Sequence, residues 1–293
     1  MSESDQEEIS FPGTPPPGDP PRGSFPSIFQ AFLLALLLVA TLGLCRAFIK
    51  LILDRSGIDA GELTLGTITN LVGFAILLPF GAMLTRLPFR EVFPFRPVPI
   101  ALFPAMAMVL VGWQIFGLKI NMVIQDLLPP PEWLTEFFQE LFSRQTNPFL
   151  QVILLCVIAP LTEELFFRGV ILRGLMKRYR LAPAIIVSSL LFALTHANPW
   201  QFFPPLVVGL YFGWWCVKTR SLWPGLVGHA FYNLLPWLAL FLMRFEVPLD
   251  SSLPESPAQP PIWFFAMGLA MMIAGTLSLI RLFRRMPEPD PAR

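Results

Sequence analysis

The chain has 293 residues, of which 14% are charged and 54% apolar, with a formal net charge of +1. A soluble globule averages near one quarter charged, so this composition excludes an ordinary soluble domain and points to a single polytopic membrane domain. Near-neutral charge without a basic block gives no footing for a nucleic-acid partner.

Residues 1–27 are acidic and rich in Pro and Gly, including Pro15-Pro16-Pro17 and Pro20-Pro21. Such a stretch buries too little apolar surface to offset ordering, and a disordered cytoplasmic tail is expected. Its acidic start lacks the basic n-region of a cleaved signal peptide, so the first span is expected to stay as an anchor.

Hydropathy then predicts an all-α bundle of about eight transmembrane helices around a central polar cavity. The spans fall near Ile28–Leu53, Leu63–Leu84, Val98–Ile124, Pro148–Leu172, Ala182–Ala197, Phe203–Val217, Leu222–Leu242 and Ile262–Leu282. The fifth and sixth fall short of the roughly 20 residues a perpendicular span needs, which favours helices bordering a wet cavity. Residues 28–147 form an N-terminal helical region and 148–243 the chemistry-bearing one. Residues 244–293 supply a last span and a basic tail. Between the third and fourth spans, Trp133 to Arg144 reads as an interfacial amphipathic helix, with Trp133, Leu134, Phe137, Phe138 and Leu141 on one side.

Lys and Arg sort unevenly between the two sides. Fourteen, among them Arg86, Arg90, Arg96, Arg173, Lys177, Arg178 and Arg220, fall on one side, and six fall on the other. The positive-inside bias therefore places both termini in the cytoplasm, and a bacterial inner membrane is the default location. Glu163 lies about 15 Å from Arg173 along a helix, within reach of the cytoplasmic face. By the same measure His196 sits deeper, about 21 Å beyond Ala182.

Inside the fourth span stands Thr162-Glu163-Glu164-Leu165-Phe166-Phe167-Arg168. An acidic residue at a span centre costs on the order of 3 kcal/mol even on a lenient insertion scale. Arg168 is four residues after Glu164 and can pair with it on one helix face. Glu163 points about 100° away, with no cation at helical spacing. Two further polar intrusions follow: Phe192 with His196, and His229 with Asn233, each an i,i+4 pair. Singly, each has a bland reading, as a satisfied buried His or as Asn joining two helices. Together they hold both histidines of the chain and the paired carboxylates, which fits water-mediated amide hydrolysis. Glu163 would take the proton of a water held by His196, while His229 and Asn233 donate to the oxyanion.

These motifs resemble those of the CAAX protease and bacteriocin-processing family, also called Abi, to which the Ras-converting prenyl endopeptidases belong. The pattern Glu-Glu-x-x-x-Arg, Phe-x-x-x-His, His-x-x-x-Asn stands here as Glu163-Glu164-x-x-x-Arg168, Phe192-x-x-x-His196 and His229-x-x-x-Asn233. Gly209, Gly213 and the turn Thr219-Arg220-Ser221-Leu222-Trp223-Pro224 fit as well, and the likeness covers about residues 149–242. The resemblance implies an intramembrane glutamate endopeptidase with no cofactor and no required metal. Glu163, Glu164, Arg168, His196, His229 and Asn233 would be its catalytic residues, Phe192 its motif support, and a peptide or protein, prenylated in the eukaryotic branch, its substrate. Membrane lipid is the other implied partner; the oligomeric state has no signal.

Three alternatives stay open. Glu163, His196 and His229 form a His₂Glu set suited to zinc, though no His-Glu-x-x-His helix is present. Cys156 shares a stripe with Glu163 but lies about 10 Å away, too far for direct activation. Like Cys45 and Cys216, it reads as a structural thiol in an apolar segment. A non-catalytic scaffold or immunity protein would bind a peptide and cut nothing. Transport has less support, because no internal repeat is visible.

Overall fold

A computed structural model describes residues 25–141, 147–246 and 260–286. The expected tail at residues 1–24, the connection at 247–259, the end at 287–293 and Arg144 lie outside the described residues. The described chain is all-helical, and each of the eight apolar segments forms a helix. These are α1 Ile28–Arg55, α2 Gly61–Thr85, α3 Leu102–Leu127, the intervening α4 Glu132–Leu141, α5 Pro148–Leu175, α6 Leu181–Leu194, α7 Phe203–Thr219, α8 Trp223–Glu246 and α9 Ile262–Arg285.

Six of them are long and apolar enough to cross a bilayer, not eight. The two that fall short are α6, with 14 residues, and α7, with 17. Local sequence explains both lengths. Thr195 closes α6, and Ala197 takes a left-handed φ of 51°. Asn198 then caps a single 3₁₀ turn, Pro199–Gln201, by accepting from the Trp200 amide. Arg220, at φ 52°, ends α7 before the Ser221-Leu222 corner. That corner is tied down by Leu222 N–H to the Pro94 carbonyl (2.8 Å) and Ser221 Oγ to the Arg96 carbonyl (2.7 Å).

Close approach of backbones sets the outer packing. On α3 and α9, a Cβ at Gly112 would lie 2.5 Å from the Gly268 carbonyl oxygen, and one at Gly275 would lie 2.9 Å from that of Ala105. Lipid tails leave little hydrophobic drive between helices, so such contacts carry much of the association. Arg46 pairs with Glu62 where α1 turns into α2. The lipid-facing sides of α1, α2 and α9 expose large apolar residues such as Leu44, Ile76 and Ile273.

The helix α4 departs from the single apolar face read from its sequence. Leu134 is buried and Phe138 half-buried, whereas Trp133 and Phe137 are exposed. Residues one apart on a helix point about 100° apart, so this pattern yields two apolar edges rather than one. The inner edge covers the cavity described below, and the outer edge is free for the membrane surface.

Candidate active site

The helix α5 does not keep one register. It is α-helical at Pro148–Val152 and Ala159–Glu164, and π-helical at Ile153–Ile158 and Leu165–Leu172. Pro160 accounts for the first widening. In π register the Ala159 N–H bonds to Leu154, one residue earlier than α geometry requires. The Leu155 carbonyl would then look to residue 160, which is proline and has no N–H. The Nδ2 of Asn233, on α8, donates to that carbonyl at 2.8 Å. Single-turn π segments inside α-helices gather at functional sites, and here two of them bracket Glu163 and Glu164.

Glu164 is fully buried. Its Oε1 lies 2.9 Å from Arg168 Nη1, the expected i,i+4 ion pair, and accepts from His229 Nδ1 at 3.0 Å. Arg168, equally buried, donates through Nη2 to the Gly209 carbonyl (3.2 Å) and lays its guanidinium over the Phe192 ring at 4.6 Å. A backbone carbonyl and an aromatic face take up part of the arginine's remaining capacity, whereas Arg168 Nη1, beyond its ion pair, and Glu164 Oε2 are buried without a hydrogen-bond partner. The other glutamate oxygen, Oε2, rests against α8, where a Cβ at Gly225 would come within 2.6 Å of it.

Glu163 points away from this pair, as helical spacing requires. Its side chain is 21% exposed, and Oε2 lies 3.8 Å from His229 Nε2. His229 therefore stands between the two carboxylates, with one ring nitrogen toward each. Its ring stacks on Phe212 at 5.4 Å and meets the edge of Phe192 at 5.7 Å. On the other side of Phe192 is His196, with ring centroids 5.2 Å apart. His196 Nδ1 is 3.0 Å from the Phe192 carbonyl oxygen, so Nδ1–H donates there and Nε2 is the nitrogen left to face outward.

A cavity of about 580 Å³ opens beside these groups. His196 and Asn233 line it, together with residues of α3, α4 and the 3₁₀ turn. The contacts thus join Glu163, Glu164, Arg168, His229, Phe192 and His196 into one cluster, while Asn233 meets the cluster's helix through its backbone. Among the described residues, no group of three His, Cys, Asp or Glu side chains is placed to hold a metal ion.

The sequence reading missed several contributors. Phe212 stacks on His229 and lies 5.6 Å from the guanidinium of Arg168. Its place between Gly209 and Gly213 was the available signal, since small residues on a helix let a neighbour come close. Asn70, whose Oδ1 is 2.9 Å from the Thr162 hydroxyl, ties α2 to the residue before Glu163 and carries no motif.

Comparisons with known proteins match the same segment of the chain. Residues 145–235 match the family model described as Type II CAAX prenyl endopeptidase Rce1-like. The chain is 31% identical over 94 residues, 32% of its own length and 51% of the relative's, to UPF0177 protein YxdF of Lactococcus lactis. It is 25% identical over 110 residues, 38% of its length and 43% of the relative's, to a Bacillus subtilis protein named "Putative membrane peptidase YdiL". The chain thus spans about half the length of the curated relatives it matches. No solved structure matches. It is to the Rce1-like CAAX prenyl endopeptidases, then, that the segment carrying both glutamates, both histidines and Asn233 is similar.

Proposed function

We propose that the protein is an intramembrane endopeptidase that hydrolyses a peptide bond with a water activated by Glu163. The observation that carries this reading is the division of labour between neighbouring carboxylates. Glu164 is spent on Arg168 and His229, whereas Glu163 keeps a partly exposed carboxylate with His229 Nε2 3.8 Å away. A structural role would be served by the buried pair alone. A second acid beside it is suited to accept a proton.

In the reaction, Glu163 takes a proton from water as the water oxygen bonds to the substrate carbonyl carbon. His196, through Nε2, helps hold that water. The carbonyl oxygen becomes an oxyanion, and Asn233 donates to it with the Nδ2 hydrogen not committed to Leu155. With Nδ1–H given to Glu164, His229 turns Nε2 toward Glu163 and completes the donor set when that nitrogen carries a proton. The proton on Glu163 then passes to the amide nitrogen as the C–N bond breaks, releasing an amine and a carboxylic acid, which gives its remaining water-derived proton to solvent. No covalent enzyme intermediate forms, and no metal takes part.

The test compares C-terminal peptides in membranes holding the wild-type protein with those holding Glu163→Gln. New C-termini present only with the wild type are expected. Identical C-termini in the two would remove the protease reading and favour a scaffold. Full turnover after exhaustive chelation is expected as well, and its loss would favour the His₂Glu zinc alternative.

A further inference from the structure

Six side-chain amides line the cavity beside His196: Gln114, Asn121 and Gln125 from α3, Gln139 from α4, Gln201 from the 3₁₀ turn, and Asn233 from α8. Among the described residues its wall carries no Lys, Arg, Asp or Glu. The amide oxygen of Gln114 is buried and without a hydrogen-bond partner. Carboxamides both donate and accept, the same pair of functions that each peptide unit of an extended chain presents. A chain drawn into a membrane protein in extended form leaves those backbone groups unpaired unless the wall supplies partners.

Resting on the protease reading above, we propose that this cavity binds an extended, uncharged and unlipidated peptide segment through its backbone, and so sets the substrate class. An isoprenyl chain seated there would leave unpaired the wall amide groups that the protein does not itself engage, Gln114 Oε1 among them, at a cost for each. A Lys or Glu side chain would lose its hydration with no opposite charge among the described lining. Backbone recognition tolerates sequence, so the enzyme accepts many uncharged segments.

The experiment uses the full-length Glu163→Gln protein in detergent micelles and measures retained peptides by mass spectrometry. Three synthetic pools of acetylated and amidated decapeptides serve as probes. One is built from Ala, Ser, Thr, Val and Leu, the second adds a central Lys or Glu, and the third carries a central S-farnesylcysteine. Retention of the first pool above the other two is expected. The further substitutions Gln114→Leu and Gln125→Leu, each made in the Glu163→Gln protein, are expected to lower that retention about tenfold, the equivalent of one lost hydrogen bond. Gln125 is exposed at the rim, so its variant tests the wall even where Gln114→Leu lowers the melting temperature. Preference for the farnesylated pool, retention of no pool, or unchanged retention in both Gln variants would overturn the proposal. Wild-type cleavage of farnesylated peptides alone would sink it and leave the protease reading intact. Retention of the first pool by a protein whose wild type cuts nothing would do the reverse.

Discussion

Glu164 and Arg168 form a buried ion pair that leaves the neighbouring Glu163 carboxylate, on the proposed mechanism, to act as the base. Truncating Arg168 to Ala strands Glu164 beside His229 and removes the guanidinium from between Phe192 and Phe212. Breaking a buried pair from one side costs about 3–5 kcal/mol, so Arg168→Ala is expected to lose folded protein as well as turnover. Thermal unfolding in detergent, read beside activity, checks this. Glu163→Gln should behave differently: unchanged unfolding, with turnover lower by roughly 10²–10⁴-fold for want of the base. Equal damage to stability in the two variants would contradict the division of labour between the glutamates. The Glu164–Arg168 pair was legible in the sequence, because i,i+4 spacing assigns Arg168 to Glu164 and not to Glu163. The attachment of His229 to Glu164 was not legible, since nothing along the chain tells which side of α5 faces α8.

At the scale of the helix, the departure of α5 from regular geometry links Pro160 to Asn233. The Leu155 carbonyl loses its in-helix partner at the proline, and Asn233 replaces it. Asn233→Ala is therefore expected to carry two separable penalties. Leaving that carbonyl unpaired costs about 1–3 kcal/mol of stability. Losing an oxyanion donor lowers turnover by about 10²–10³-fold. A variant that unfolds earlier yet turns over at the wild-type rate would reduce Asn233 to a helix clip. The hydropathy pattern located all eight apolar helices and showed that α6 and α7 would be short. It could not foretell the π segments, because periodicity averages over the one-residue slips that produce them. Nor could it divide the edges of α4, where the cavity, rather than the alternation of residue types, decides which side Leu134 and Phe138 take.

Across the whole molecule, the cavity and the basic residues lie at opposite ends of the bundle. Its wall draws on the C-terminal half of α3, on α4 and on the turn after α6, whereas Arg96, Arg173, Lys177 and Arg220 cluster where α5 ends and α8 begins. Helical rise from Arg173 alone made Glu163 look reachable from the basic side. The cavity lined by His196 lies toward the other end, where α6 stops at Thr195, and Glu163 is not among the residues that line it. If basic residues mark the cytoplasm, the substrate enters from the opposite compartment. Two exposed positions separate the outcomes: Gln125, at the cavity rim, and Arg178, after the end of α5. In intact cells, a membrane-impermeant maleimide is expected to label Gln125→Cys and to spare Arg178→Cys until the membrane is opened, with the parent protein as background for its own three cysteines. The reverse pattern would turn the protein over in the membrane. The cavity would then face the cytoplasm, and the carboxamide wall would meet cytoplasmic chains instead of those already carried across.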